Sequence, residues 1–188
     1  MTTQAPSNVT IPGWAAGTWQ LDPTHSEVAF SVRHMMISKV KGRFTTVSAE
    51  LTTTDDPLDS KVTAEIDLSS VTTGNDQRDA DLRSNNYFDV ETHPKMTFTS
   101  TGVRPDGDGF ALDGELSVHG VTRPVTLALE LGGIGPDPWG GTRAGFTATG
   151  KINRHDFGMT FDMPLDGGGL VVGDQVAITI EAELVLDR

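Results

Sequence analysis

Along most of this chain, apolar and polar side chains alternate with a period of two, the signature of strands with one face buried. Val28, Phe30, Val32 and His34 share one face, with Ala29, Ser31 and Arg33 opposite. Val62, Ala64, Ile66 and Leu68 form a second set, and Phe110, Leu112, Gly114, Leu116 and Val118 a third. Val125, Leu127, Leu129 and Leu131 follow, then Ala144, Phe146, Ala148 and Ile152, then every second residue from Val176 to Leu186. With 40–51 and 96–102 added, the pattern predicts about eight strands. Apolar parity slips between Phe44 and Val47, which predicts a bulge that bends the strand. Asp106-Gly-Asp-Gly109 separates two alternating runs and reads as a hairpin turn. The stretch 75–86 breaks the pattern: it opens on capping residues and permits an Asp79–Arg83 pair at i,i+4, predicting a short helix.

Many short strands with one helical excursion mean a sandwich or a barrel. Eight strands, some of them long, suit a closed barrel whose interior holds one ligand. Ala64, Gly102, Gly114, Ala144, Ala148, Gly150 and Ala182 all fall in apolar register, where a filled core needs larger side chains. Two readings stand at this point: a cavity, or small residues set opposite large ones and at barrel bends.

Composition narrows the field. The chain has 188 residues, room for one domain. Its apolar content is about 47% once glycine is counted and tyrosine left out, ordinary for a globular protein. A net charge of -12 argues against nucleic acid and anionic membranes as non-specific partners. The absence of cysteine removes disulfides, thiolate nucleophiles and Cys-ligated metals together. Residues 1–17 have little pattern and read as a flexible arm preceding a single domain over 18–188. The chain starts at Met1 without a basic, apolar leader or any membrane-length apolar run, so the expectation is a cytoplasmic protein with no stable membrane insertion.

Catalytic signatures are sparse. There is no Gly-x-Ser-x-Gly elbow, no phosphate-binding Gly-Lys-Ser/Thr loop and no His-Glu-x-x-His, and no catalytic residue, cofactor or metal is expected. His25, His34, His93, His119 and His155 are too far apart in sequence to form local ligand pairs, though they can converge in space. His155 and Asp156, if in a strand, point to opposite faces and make a poor dyad. One asymmetry stands out: no acidic residue occurs between Glu27 and Glu50, yet Arg33, Lys39, Lys41 and Arg43 do, around the triplet Met35-Met36-Ile37. It reads either as a cavity mouth meeting an anionic head group or as cations paired with surface carboxylates. Tyr87 and Phe88 follow the helix and either plug one barrel end or pack on its exterior.

Ordered motifs carry a family resemblance. They run from Trp19-Gln-Leu-Asp-Pro-Thr-His-Ser26 and Val28-Ala-Phe-Ser-Val-Arg-His-Met35 through Val40-Lys-Gly-Arg-Phe44, Arg78-Asp79 and Tyr87-Phe-Asp-Val90. His93-Pro-Lys-Met-Thr-Phe-Thr-Ser100, Val118-His-Gly-Val-Thr122, Asp156-Phe-Gly158 and Val172-Gly-Asp-Gln-Val176 complete the series. In order and spacing the chain resembles the YceI family of bacterial lipocalin-like proteins over roughly residues 18–187. The resemblance implies an all-β, eight-stranded antiparallel barrel with an internal apolar cavity, and a polyisoprenoid or similar long-chain lipid as ligand. Many relatives are periplasmic, and this chain departs from them in showing no signal peptide. His25-Ser26, Arg78-Asp79 and Asp156-Phe-Gly158 are expected to hold turns.

The resulting expectation is a non-enzymatic protein that carries, stores or sequesters a lipid. Phe30, Val32, Phe44, Ile66, Phe98, Leu116, Phe146 and Ile178 are expected to line its cavity, with Arg33, His34, Met35, Met36, Lys39 and Arg43 at an entrance for a phosphate or carboxylate head. The alternatives are an enzyme acting on an apolar substrate inside the barrel, or a partner-binding barrel with a filled core. An exposed sheet edge or apolar patch would support a homodimer.

Overall fold

The computed structural model describes residues 7–188, so the first six residues of the predicted arm lie outside the described residues. In chain order come β1 (Gly17–Leu21), β2 (Glu27–His34), β3 (Ser38–Phe44), β4 (Val47–Thr53), β5 (Lys61–Asp67) and β6 (Val71–Thr72). The helix α1 (Asp76–Arg83) follows, then β7 (Lys95–Asp106), β8 (Gly109–Val118), β9 (Val121–Pro136), β10 (Thr142–Asn153) and β11 (Val172–Leu186).

All pairings are antiparallel, and they close. β1 pairs with β4 on one side and with β11 on the other, completing the ring β1-β4-β5-β7-β8-β9-β10-β11. The 15 residues of β11 are long enough to pair with β1 at Leu184–Leu186 and with β2 from Val172 to Glu181. β1 and β2 are thus halves of one strand, interrupted by the 3-10 turn Pro23–His25, whose Asp22 cap accepts from the Thr24 amide. β3 and β4 are likewise halves of one strand. The break falls at Thr45–Thr46, where apolar parity slips, so β3 pairs with β2 and β4 with β1 and β5. Counted this way, eight antiparallel strands form a closed barrel with one helix.

α1 spans Asp76–Arg83, shorter than the predicted 75–86 because Asn75 is its N-cap and Ser84 its C-cap. The permitted Asp79–Arg83 pair does not form. The buried Asp79 carboxylate accepts from the Thr73 amide at 2.8 Å, and Arg83 turns toward the Ser69 and Val71 carbonyls at 3.5 Å. Burial raises the Asp79 pKa, but hydrogen bonds from Thr73 and Thr72 and the nearby charge of Arg83 together outweigh it and hold the carboxyl below its ordinary value. Arg78 also reaches back, donating from Nε to Thr73 Oγ1 at 2.8 Å, so the Arg78-Asp79 motif docks α1 against the end of β6.

Two apolar clusters occupy the interior. The larger joins Phe44, Ile66, Leu68, Phe98, Leu112, Leu116, Leu127 and Phe157. The smaller surrounds Trp19, which is 1% exposed, with Ala144 and Leu184. The Trp19 indole donates to Thr53 Oγ1 at 3.0 Å, so its polar handle is satisfied within the barrel wall. Residues ahead of β1 lie along the same side: Trp14 Nε1 donates to the Thr54 carbonyl at 2.8 Å.

Candidate ligand-binding site

Inside the barrel lies a cavity of about 290 Å³, at the lower end of the range for small-molecule sites. Phe30, Val32, Phe44, Ile66, Phe98, Leu116, Phe146 and Ile178 all face it, on the inward parity of their strands. Almost the whole lining is apolar; the lining residues that carry polar side-chain atoms are Ser60, Lys61, Arg154, Tyr87 and Trp14. Inward residues such as Phe30, Val62, Ile178 and Ile180 remain partly accessible, because they face empty space rather than one another.

The small residues in apolar register have several settings. Ala64, Ala148 and Ala182 line the cavity, Ala144 packs with Trp19, and Gly102 faces open space. Other glycines make room for large neighbours. A Cβ at Gly114 would collide with the ring of Phe98, one at Gly42 with the ring of Phe30, and one at Gly150 would stand 2.7 Å from Leu127 Cδ2. Both readings of the small-residue pattern are therefore realised, in different places.

One end of the cavity is sealed by a polar knot under an aromatic lid. Arg154, 3% exposed, sits in the 3-10 turn Arg154–Phe157 that follows β10. Its Nη1 donates to the carbonyls of Met159 (2.7 Å) and Phe161 (2.8 Å), Nε to Gly173 O (3.0 Å), and Nη2 to Val172 O (3.2 Å) and Asp162 Oδ1 (2.6 Å). Its guanidinium stands 5.9 Å from the Tyr87 ring centre, and Tyr87 meets Phe161 edge-on at 5.8 Å. Burial pushes the Tyr87 hydroxyl above its ordinary pKa, with Asp81 adding to the shift. Burial also raises Asp162, but hydrogen bonds from Arg154 and His155 overcome it and hold the carboxyl low. Tyr87 and Phe88 both line the cavity at this end.

The predicted strand geometry of His155 and Asp156 gives way to that 3-10 turn. His155 Nε2 lies 3.2 Å from Asp162 Oδ1 and 3.3 Å from Asp174 Oδ1, rather than facing Asp156. Arg154 keeps the inward parity of Ile152 but lies one residue past β10, where no sequence motif marks a buried cation.

The residues expected at the entrance stand off the cavity lining. None of Arg33, His34, Met35, Met36, Lys39 and Arg43 lines the cavity. The pleat explains three of them: the alternation that turns Phe30 and Val32 inward turns Arg33 outward, and Lys39 and Arg43 share the outer face of β3. Arg43 stands 3.7 Å from Glu27 on that surface. His34 ends β2 opposite Ser38 and Val172, at the sealed end. Met35 and Met36 are exposed on a tight turn with positive φ at both, and the Met35 amide donates to Val171 O at 2.7 Å. At the opposite end the lining residues Ile11 and Trp14 are half-buried and Lys61 is exposed.

Near this end β1 hands over to β2 through an ionic cluster. Arg143 Nη1 bonds Asp22 and Glu183, each at 2.7 Å, and its Nε bonds Asp137 at 3.0 Å. The His25 Nδ1 lies 2.8 Å from Asp22, and the hydrogen bonds of His25 and then Arg143 hold the Asp22 carboxyl far below the usual range. The same bond raises the His25 pKa. Ser26 Oγ accepts from the Glu183 amide at 3.0 Å, so the His25-Ser26 motif ties the strand break to β11.

This closed barrel, with its apolar interior and tied turns, matches the model of the YceI-like domain over residues 19–184. The chain belongs to the YceI family. The YceI protein of Salmonella newport is 42% identical over 140 residues, covering 74% of this chain and 73% of its relative. A UPF0312 protein of Photorhabdus laumondii is 40% identical with the same coverage. Among solved structures, the Campylobacter jejuni YceI protein has a TM-score of 0.72 at 30% identity, covering 83% of this chain and 90% of that one. A polyisoprenoid binding domain from Saccharophagus degradans, implicated in plant cell wall breakdown, shares the fold at a TM-score of 0.67 and 18% identity, covering 90% and 98%.

Proposed function

We propose that this YceI-family barrel binds one long apolar lipid chain, of polyisoprenoid type, and carries or sequesters it without chemical change. The observation that carries this reading is a cavity of about 290 Å³ whose lining is almost wholly apolar. Such a site gains affinity from burial alone, at about 0.8 kcal/mol for each methylene removed from water. The polyisoprenoid binding domain named among the fold relatives supports the ligand class. The chain enters between Trp14 and Lys61, since Arg154, Met159 and Tyr87 are buried at the other end. Lys61 then meets a phosphate or carboxylate head at the rim, in place of the basic stretch Arg33–Arg43. We further assign the protein to the cytoplasm, and its recovery from an exported fraction of the native cell would overturn that assignment.

Native mass spectrometry of protein purified without added lipid tests the central reading. The expected result is a mass increment that organic extraction removes and identifies as an unmodified long-chain isoprenoid. A chain that neither copurifies with nor takes up any isoprenoid overturns it, as does conversion of the bound molecule to a product.

A further inference from the structure

Outside the cavity, among the described residues, three groups of histidine and carboxylate side chains each bring one potential ligand atom per residue within 4.8 Å of the others. Two already hold a cation. Arg143 sits on Asp22 and Glu183 at 2.7 Å in the group with His25, and Arg154 sits on Asp162 at 2.6 Å in the group with His155 and Asp174. A guanidinium in that position repels a metal ion and occupies the carboxylate lone pairs that would bind it. The third group, Asp89, His93 and His119, has no lysine or arginine within ion-pair distance among the described residues.

The surroundings of this group are those of a ligand set. His119 Nδ1 lies 3.1 Å from the Phe157 carbonyl, which only accepts, so Nδ1 carries the proton and Nε2 keeps its lone pair. The His93 amide donates to Asp89 O at 2.8 Å, closing a turn that sets the two side chains four residues apart. The His93 ring packs on Gly120, where a Cβ would stand 2.8 Å from its Cε1, and its centre is 5.2 Å from that of His119. His119 and Asp89 both hold positive φ, at 56° and 52°, the first as part of the two-residue hairpin turn His119-Gly120 and the second at the turn that the His93 amide closes.

We propose that Asp89, His93 and His119 bind a zinc-class divalent cation through two imidazole nitrogens and one carboxylate, leaving one position open. Three such ligands with one open position are a recurrent zinc arrangement. Ligand atoms at about 2.1 Å from a tetrahedral ion stand about 3.4 Å apart, so the set closes by a modest side-chain movement. The site joins the 84–94 segment, which carries the cavity-lining Tyr87 and Phe88, to the hairpin turn beside Phe157. A bound ion therefore staples the sealed end of the barrel, whatever ligand the cavity takes.

The test is titration of the untagged, chelator-washed chain with ZnCl2, read by calorimetry and by thermal unfolding. One ion per chain is expected, with Tm rising by about 5–10 °C at a hundredfold excess over Kd. His119→Asn is the decisive variant. It creates Asn-Gly in a two-residue hairpin turn with positive φ at both positions, which favours the fold while removing a ligand. It should still fold without zinc, the turn gain offsetting the lost bond to Phe157 O, and lose the zinc-dependent rise, as should Asp89→Asn, whereas His155→Gln should keep it. Absence of zinc binding at millimolar concentration, or a rise that survives in both His119→Asn and Asp89→Asn, overturns the proposal.

Discussion

The ring of Phe98 fills the space that a side chain at Gly114 would occupy, on the adjacent strand of the barrel wall. This contact sets how far Phe98 leans into the cavity, so one position controls both stability and capacity. Gly114→Val pushes the ring inward and overpacks the wall. Denaturant unfolding should show a loss of about 1–3 kcal/mol, with less lipid retained by the folded fraction. Unchanged stability and lipid content together would refute this coupling.

At Ala182, by contrast, the neighbouring space is the cavity itself. Ala182→Phe should fill that space at a cost to folding of about 1–3 kcal/mol. The copurifying lipid mass should disappear from the native mass spectrum. A variant that folds and still carries its full lipid load would remove the cavity from the account.

Arg154 is held by four carbonyls and the Asp162 carboxylate; its removal takes a donor from each, and of the five only Asp162 keeps another side-chain partner, His155. Arg154→Met should cost about 3–5 kcal/mol in urea unfolding. Arg154→Lys should recover only part of this, because one ammonium cannot reach so many acceptors. A loss below about 1 kcal/mol in the methionine variant would show that the knot is dispensable.

Charge reversal at Lys61 addresses the rim. Lys61→Glu should weaken retention of an isoprenoid phosphate by about two- to fivefold, an effect that fades with added salt, and should leave an isoprenoid alcohol unaffected. Equal retention of both ligands by both proteins would place the head group elsewhere.

His25 supplies a pH signature. Its imidazole is held above the ordinary pKa by the Asp22 hydrogen bond, so the folded protein binds this proton more tightly than the unfolded chain. That stabilisation is fully present below the unfolded pKa of about 6.5 and is lost as pH rises through the raised value. Urea midpoints measured at roughly pH 5.5 and 8.5 should fall more for the parent than for His25→Gln. Parallel changes in the two proteins would contradict the assignment. Asp22 acts in the opposite direction: its pKa is depressed, so its contribution is present above the ordinary carboxylate range and is lost in acid.

Period-two alternation made most of the barrel legible before any coordinates. Inward residues from Val28 to Val32 and from Val176 to Leu184 lie where parity puts them, and even the bend at Thr45–Thr46 registers as a parity slip. β1 escaped notice because Gly17–Leu21 is too short for alternation to stand out, and β6 has only two residues. Polar positions were harder to read. Local charge identified the Arg33–Arg43 stretch as unusual, but parity alone turns Arg33 and Arg43 away from the interior. Arg154 acts through five partners spread over 159–173, and Asp89 with His93 meets His119 only across the fold. Such convergence depends on tertiary distance, and the one local trace was the Asp-x-x-x-His spacing at 89–93.

Because β11 pairs with both halves of the interrupted first strand, the wall has no free edge around its main circumference. A sheet edge is where a second chain can add a strand and begin an aggregate, and closure withdraws that template. The ladder thins out where the two-residue β6 leaves Ser38–Gly42 of β3 without a second neighbour, and along β7 beyond Thr99, where β5 has ended. The chain can therefore keep an apolar hollow at its centre while confining unpaired strand backbone to these short stretches, which are where a second copy would have to add a strand.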